Sequence, residues 1–131
     1  ELLARDTQLH LLCQGIHNSI CTGWLLTGQA FEVKSDWSEQ TVVCALDKEH
    51  WTCLGSRHDR ADFYGRAPLA TVLSDVNTDI LLVLFPLDIA PMGPVDGDPH
   101  TLRPEQDYPV WRSRLPEGYV MLDEVRIGFP D

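Results

Sequence analysis

The sequence predicts a mainly β, all-β-type chain, an antiparallel β-sandwich, and three features predict it. Short stretches such as residues 7–11 (Thr-Gln-Leu-His-Leu) alternate with the period of two that a half-buried strand requires. Helical spacing occurs only at Leu69, Val72, Leu73 and Val76, so at most one short helix is expected near residues 69–76. All nine prolines lie at Pro68 or later, which makes the second half loop-rich. Short strands, scarce helix and Gly/Pro loops together make the pattern of a sandwich.

Along the chain, residues 2–13 read as a strand, residues 13–22 as a polar loop, and residues 23–26 and 30–33 as two short strands. Residues 41–46 and 51–54 flank Asp47, Lys48, Glu49 and His50, a hairpin turn by composition. That register sets Cys44 opposite Cys53 and gathers Val42, Cys44, Leu46, Trp51 and Cys53 on one face. Residues 79–87 read as a fully buried strand. Residues 88–110, with Pro91, Gly93, Pro94, Gly97, Pro99, Pro104 and Pro109, form a long irregular loop.

The closing stretch, residues 118–129, alternates again. One face carries Tyr119, Met121, Asp123, Val125, Ile127 and Phe129; the other carries Val120, Leu122, Glu124 and Arg126. An aspartate within an apolar face must be hydrogen-bonded, paired or metal-bound, because an isolated buried carboxylate is very costly. Asp123 is therefore the strongest single lead.

With 131 residues the chain reads as one domain, residues 1–131, large enough to bury a core without disulfides or a metal. It begins at Glu1 without an initiator Met or a signal-peptide pattern, which suggests a module of a larger protein. A net charge of −10 disfavours nucleic acid and acidic membrane surfaces. No apolar run is long enough for a membrane span. Lys34 and Lys48 are the only lysines; the arginine bias suits planar contacts, or reflects codon usage.

Cys13, Cys21, Cys44 and Cys53 allow three pairings. No C-x-x-C occurs, and the spacings fit no zinc ribbon or finger. Cys44 with Cys53 forms a cross-strand disulfide or a pair of buried thiols. Disulfides would accompany an extracellular or secretory setting, and reduced thiols a cytoplasmic one.

Residues 119–127 (Tyr-Val-Met-Leu-Asp-Glu-Val-Arg-Ile) resemble the last strand of galactose-binding-like jelly rolls, a group that includes many carbohydrate-binding modules. The resemblance is confined to those nine residues. It implies a jelly-roll-like sandwich and a structural calcium at Asp123 beside the first strand, with Glu1 and Asp6 as candidate partners. Calcium takes six to eight oxygen ligands. The alternative is an inward Asp123 bonded to an arginine or to backbone N–H groups.

Residues 57–66 concentrate Arg57, Asp59, Arg60, Asp62, Tyr64 and Arg66. An aromatic beside arginine and aspartate suits sugar recognition, by stacking and charged hydrogen bonds, and equally suits a peptide. A solvated loop with internal ion pairs is the plain alternative. Trp24 and Trp51 lie in apolar contexts and are expected in the core. Trp37 and Trp111 have polar or loop neighbours and, with Tyr108, are the stacking candidates.

Catalytic patterns are scarce. His10, His17, His50, His58 and His100 share no metal-ligand spacing, and no nucleophile elbow, phosphate loop or dinucleotide fingerprint occurs. His58 with Asp59 or Asp62 is the nearest thing to an acid/base pair. The expectation is a non-catalytic module, requiring no cofactor, that binds a carbohydrate (glycan) or a protein segment. An intracellular interaction or scaffold domain is the alternative, and a hydrolase using paired carboxylates a third reading.

Overall fold

The computed structural model describes residues 3, 7–55, 62–85 and 117–128. Within them, β1 (Gln8–His17), β2 (Ile20–Leu26), β3 (Phe31–Glu32), β4 (Trp51–Cys53) and β5 (Asp79–Phe85) join in one antiparallel sheet, accompanied by one short helix, α1 (Leu69–Ser74). The mainly β class is as the sequence predicts. The described residues form one sheet with a helix against it; a second sheet is not among them.

The sheet grows from β1. Its C-terminal half pairs with β2, from Leu12↔Leu25 to His17↔Ile20. Asn18 and Ser19 close this hairpin at φ 52° and 66°. A two-residue turn with both φ values positive matches the right-handed twist of the strands it joins. Residues 13–22 are thus not the polar loop expected. Their polarity reflects a turn and a sheet edge, and β1 continues through Cys13 to His17.

Residues 27–30 interrupt the partner strand, which resumes as β3 opposite Gln8 and Leu9. Gly28 makes the close approach possible there. Its N–H reaches the His50 carbonyl at 2.9 Å, and a Cβ would stand only 2.9 Å from His50 Cα.

Register assigns the two faces. Cys13, Trp24 and Cys53 lie side by side, as do Leu26 and Trp51, and α1 brings Leu69 and Val72 onto this layer. Leu12, Leu25 and Thr52 occupy the opposite face and are buried as well. Trp24 and Trp51 are core residues, as expected. Their indole N–H groups donate to the carbonyls of Ala67 and Ala45, both at 2.9 Å. Burying one such large side chain contributes roughly 1.5–3 kcal/mol.

α1 is too short to be stable alone and exists through its apolar stripe. Thr22 Oγ1 accepts the Ala67 N–H at 2.9 Å, which anchors the chain just before Pro68 starts the helix. Beyond α1, the Asn77 side chain accepts from Ile16 N at 2.7 Å and donates to Ile16 O at 3.0 Å. It thereby extends the ladder past the start of β5.

Further expectations are corrected. Residues 41–46 form no strand and do not pair with β4; β4 pairs with β2 instead, from Trp24↔Cys53 to Leu26↔Trp51. In that register all three β4 side chains are buried. Asp47 to His50 is a short 3-10 turn in which Asp47 Oδ1 accepts the Glu49 N–H at 3.1 Å. The Cys44–Cys53 disulfide therefore does not form. Nor does Cys13 pair with Cys21, because Cys21 sits opposite Ile16 and so on the other face of the sheet from Cys13. All four cysteines are thiols.

β5 is not fully buried. It lies at the sheet's edge, with Ile80 and Leu81 exposed. Residues 86–87 and the loop 88–110 fall outside the described residues. Residues 117–128, finally, form no strand, and Tyr119, Met121, Leu122, Val125 and Ile127 are exposed. Asp123 is exposed too, so the buried carboxylate inferred from alternation does not exist. The strand pattern is present without a strand to pair with among the described residues.

Candidate functional site

A concavity among the described residues lies where the chain leaves β3. A groove of about 450 Å³ is lined by Val33, Lys34, Ser35, Asp36 and Trp37, by residues 117–121 and by Leu3. Its two aromatics are strongly exposed, Trp37 at 69% and Tyr119 at 82%.

Two glutamines brace the loop that carries Trp37. Gln40 accepts the Glu32 N–H at 2.7 Å and donates to the Glu32 carbonyl at 2.9 Å. Its Nε2 also reaches Ser38 Oγ at 2.9 Å. Gln29 treats Val43 the same way, accepting from its N–H at 3.0 Å and donating to its carbonyl at 2.9 Å. Each side-chain amide stands in for one rung of a ladder. The loop from Glu32 to Gln40 is thus closed at its base, with Trp37 near its tip. Lys34 Nζ lies 3.4 Å from Glu32 Oε2, an exposed pair of little energetic weight.

The second lining segment runs from Glu117 to Met121 and includes Gly118, whose φ of 151° favours glycine. The groove therefore combines two aromatic rings with an ammonium, two carboxylates (Asp36 and Glu117) and a serine hydroxyl. Such a set can stack on a flat apolar face and hydrogen-bond polar groups around it.

Of the residues singled out from sequence, Trp37 alone lies in this groove. Tyr64 is at the other end of β1. Residues 63–65 run beside β2, with Cys21 N donating to Phe63 O at 2.7 Å and Gly65 N to Cys21 O at 2.9 Å. Tyr64 is half-buried, its ring edge-on to Phe63 at a centroid distance of 5.0 Å, while Asp62 and Arg66 are exposed. Seven strand steps separate Leu9, beside β3, from Ile16, opposite Cys21. At about 3.3 Å a step, Trp37 and Tyr64 belong to sites roughly 20 Å apart. Arg57, Asp59, Arg60, Tyr108, Trp111, Glu1 and Asp6 lie outside the described residues.

Sequence reasoning missed Tyr119, Lys34, Asp36 and Glu117 as a group. Gly118 was the available signal: a glycine just before an alternating run marks a backbone bend as readily as a strand start.

No three of the described His, Cys, Asp and Glu residues cluster as metal ligands. Burial pushes the Cys13 thiol up to about 11, with Cys44 adding to the effect. Burial also raises Cys21, helped by Asp79, and raises Cys44. A thiol so shifted is protonated at neutral pH and a poor nucleophile. Arg126 grips both oxygens of Glu124 at 2.8 Å and lowers that carboxyl's pKa, but the pair is fully exposed. Comparison with known protein families, with curated proteins and with solved structures finds no match.

Proposed function

We propose that this domain is a non-catalytic binding module that recognises a carbohydrate at the Trp37–Tyr119 groove. The observation that carries the reading is Trp37 itself, a large ring left 69% exposed near the tip of a loop braced at its base. Bracing lowers the ordering cost of binding, and exposed rings next to polar groups suit the alternating apolar and hydroxyl surfaces of a sugar. Lys34, Ser35, Asp36 and Glu117 would hold hydroxyls; Trp37 and Tyr119 would stack. Trp24 and Trp51 are buried, so a ligand at the groove should change the emission of Trp37 among the described tryptophans.

A glycan array followed by fluorescence titration tests this. Binding is expected to fall at least tenfold in Trp37→Ala and in Tyr119→Ala while the far-ultraviolet circular dichroism stays unchanged. Equal binding by wild type and both variants, or no response to any glycan, overturns it. A second reading, a protein segment bound as an interaction module, draws support from the four reduced cysteines, which suit a reducing compartment. An extended peptide that binds the groove where no glycan does would favour it.

A further inference from the structure

We propose that the outer edge of β5 receives residues 122–128 of a second copy as an added strand, reciprocally, in a strand-exchanged dimer. β5 is bonded to β1 along one edge, from Gln8↔Phe85 to Gln14↔Asp79. Among the described residues nothing bonds its other edge. Six of its seven residues are apolar, with Ile80 49% and Leu81 41% exposed. An apolar edge of this length, with no strand bonded to it among the described residues, is a template for another strand.

The occupant is argued from the same chain. Residues 122–128 carry a strand-type pattern over the same length as β5, have no strand partner among the described residues, and leave Leu122, Val125 and Ile127 in water. Charge selects a register. An antiparallel pairing that sets Arg126 opposite Asp79 also sets Val125 beside Ile80 and Leu122 beside Val83, with Glu124 and Asp123 beside Leu81 and Leu82 and Ile127 just past the start of β5. It leaves Asp123 and Glu124 in the middle of the new edge, where charges block further addition, so the exchange stops at two.

The donor is a second copy because of where the segment starts. Residues 117–121 line the groove beside residues 33–37, which follow β3. β3 and β5 bond to opposite edges of β1 at Gln8 and Leu9. The segment thus begins on the far side of β1 from the edge it fits. With a net charge of −10 on each copy, association should strengthen as salt screens the repulsion.

Sedimentation of the full chain, from micromolar to millimolar at physiological ionic strength, tests the dimer. A concentration-dependent dimer is expected that Val125→Pro and Ile80→Lys each weaken at least tenfold, and that Asp79→Arg combined with Arg126→Asp restores relative to either change alone. Val125→Pro removes a ladder N–H in an exposed segment and leaves the sheet intact. A monomer at every concentration, or a dimer indifferent to Val125→Pro, overturns the proposal. Hydrogen exchange adds a second reading: the amides of residues 80–84 that point away from β1, and those of residues 122–128 that face them, should slow only as the dimer forms. Equal protection in dilute monomer would show pairing within one chain and overturn it as well. The proposal is independent of the groove's ligand, since Trp37→Ala should leave the dimer unchanged.

Discussion

β1 and residues 119–127 are both written as alternating stretches, yet β1 is bonded along both edges while residues 119–127 have no strand partner among the described residues. Alternation prepares a segment to be a strand, but a neighbour in register makes it one. β1 has β2 a two-residue turn away, so little loop-closure entropy opposes the pairing. Residues 119–127 have no such local partner among the described residues, and of their apolar side chains Tyr119, Met121, Leu122, Val125 and Ile127 remain in water. The contrast gives the chain a core that accounts for its stability and a segment that costs little to change.

The sharpest test of the core side is Trp51→Ala. Trp51 is fully buried and its indole donates to Ala45, so denaturant unfolding should show a loss of about 3–5 kcal/mol. A loss under about 1 kcal/mol would mean that β4 does not dock on β2 as described.

Alkaline pH should expose the same layer. The Cys13 thiol is pushed up to about 11 in the folded chain, against 9.0 unperturbed. Its stabilising contribution is complete below pH 9 and lost as pH rises through 11, by on the order of 2 kcal/mol. Cys13→Ala should flatten that part of the stability profile; an unchanged slope would remove Cys13 as the cause.

Thr22→Val, nearly equal in volume, deletes the acceptor of the Ala67 N–H and should cost about 1–2 kcal/mol by leaving a part-buried donor unmet. Calorimetry would read this as a lower Tm. Ser19→Gly should act in the opposite sense, stabilising by roughly 0.5–1 kcal/mol, because Ser19 holds a φ of 66° that glycine adopts without penalty. Destabilisation there would contradict the positive-φ turn. The smallest effect belongs to the closing segment: in dilute protein Val125→Ala should change stability by under about 0.5 kcal/mol. A core-sized loss would mean that residues 119–127 are packed after all, and the comparison with β1 would fail.

Much of this was legible in the residues because it is local. Leu69, Val72, Leu73 and Val76 at helical spacing located α1, alternation located the start of β1, and apolar neighbours sorted Trp24 and Trp51 into the core and Trp37 out of it. The turn at Asn18 and Ser19 was hidden because neither residue is glycine, so a positive-φ pair read as a plain polar loop. The groove was hidden because it joins residues 33–37 to residues 117–121, which no short window contains.

The sequence by itself determined the mainly β class, the short helix α1 and the residue types suited to core and surface, since each follows from side-chain period and hydropathy over a few residues. Tertiary structure alone decided that β4 pairs with β2 rather than with residues 41–46, that the cysteines stay apart and that Asp123 sits in water. Strand partnership depends on which distant edge offers a matching register, and period-two alternation is the same whichever partner arrives.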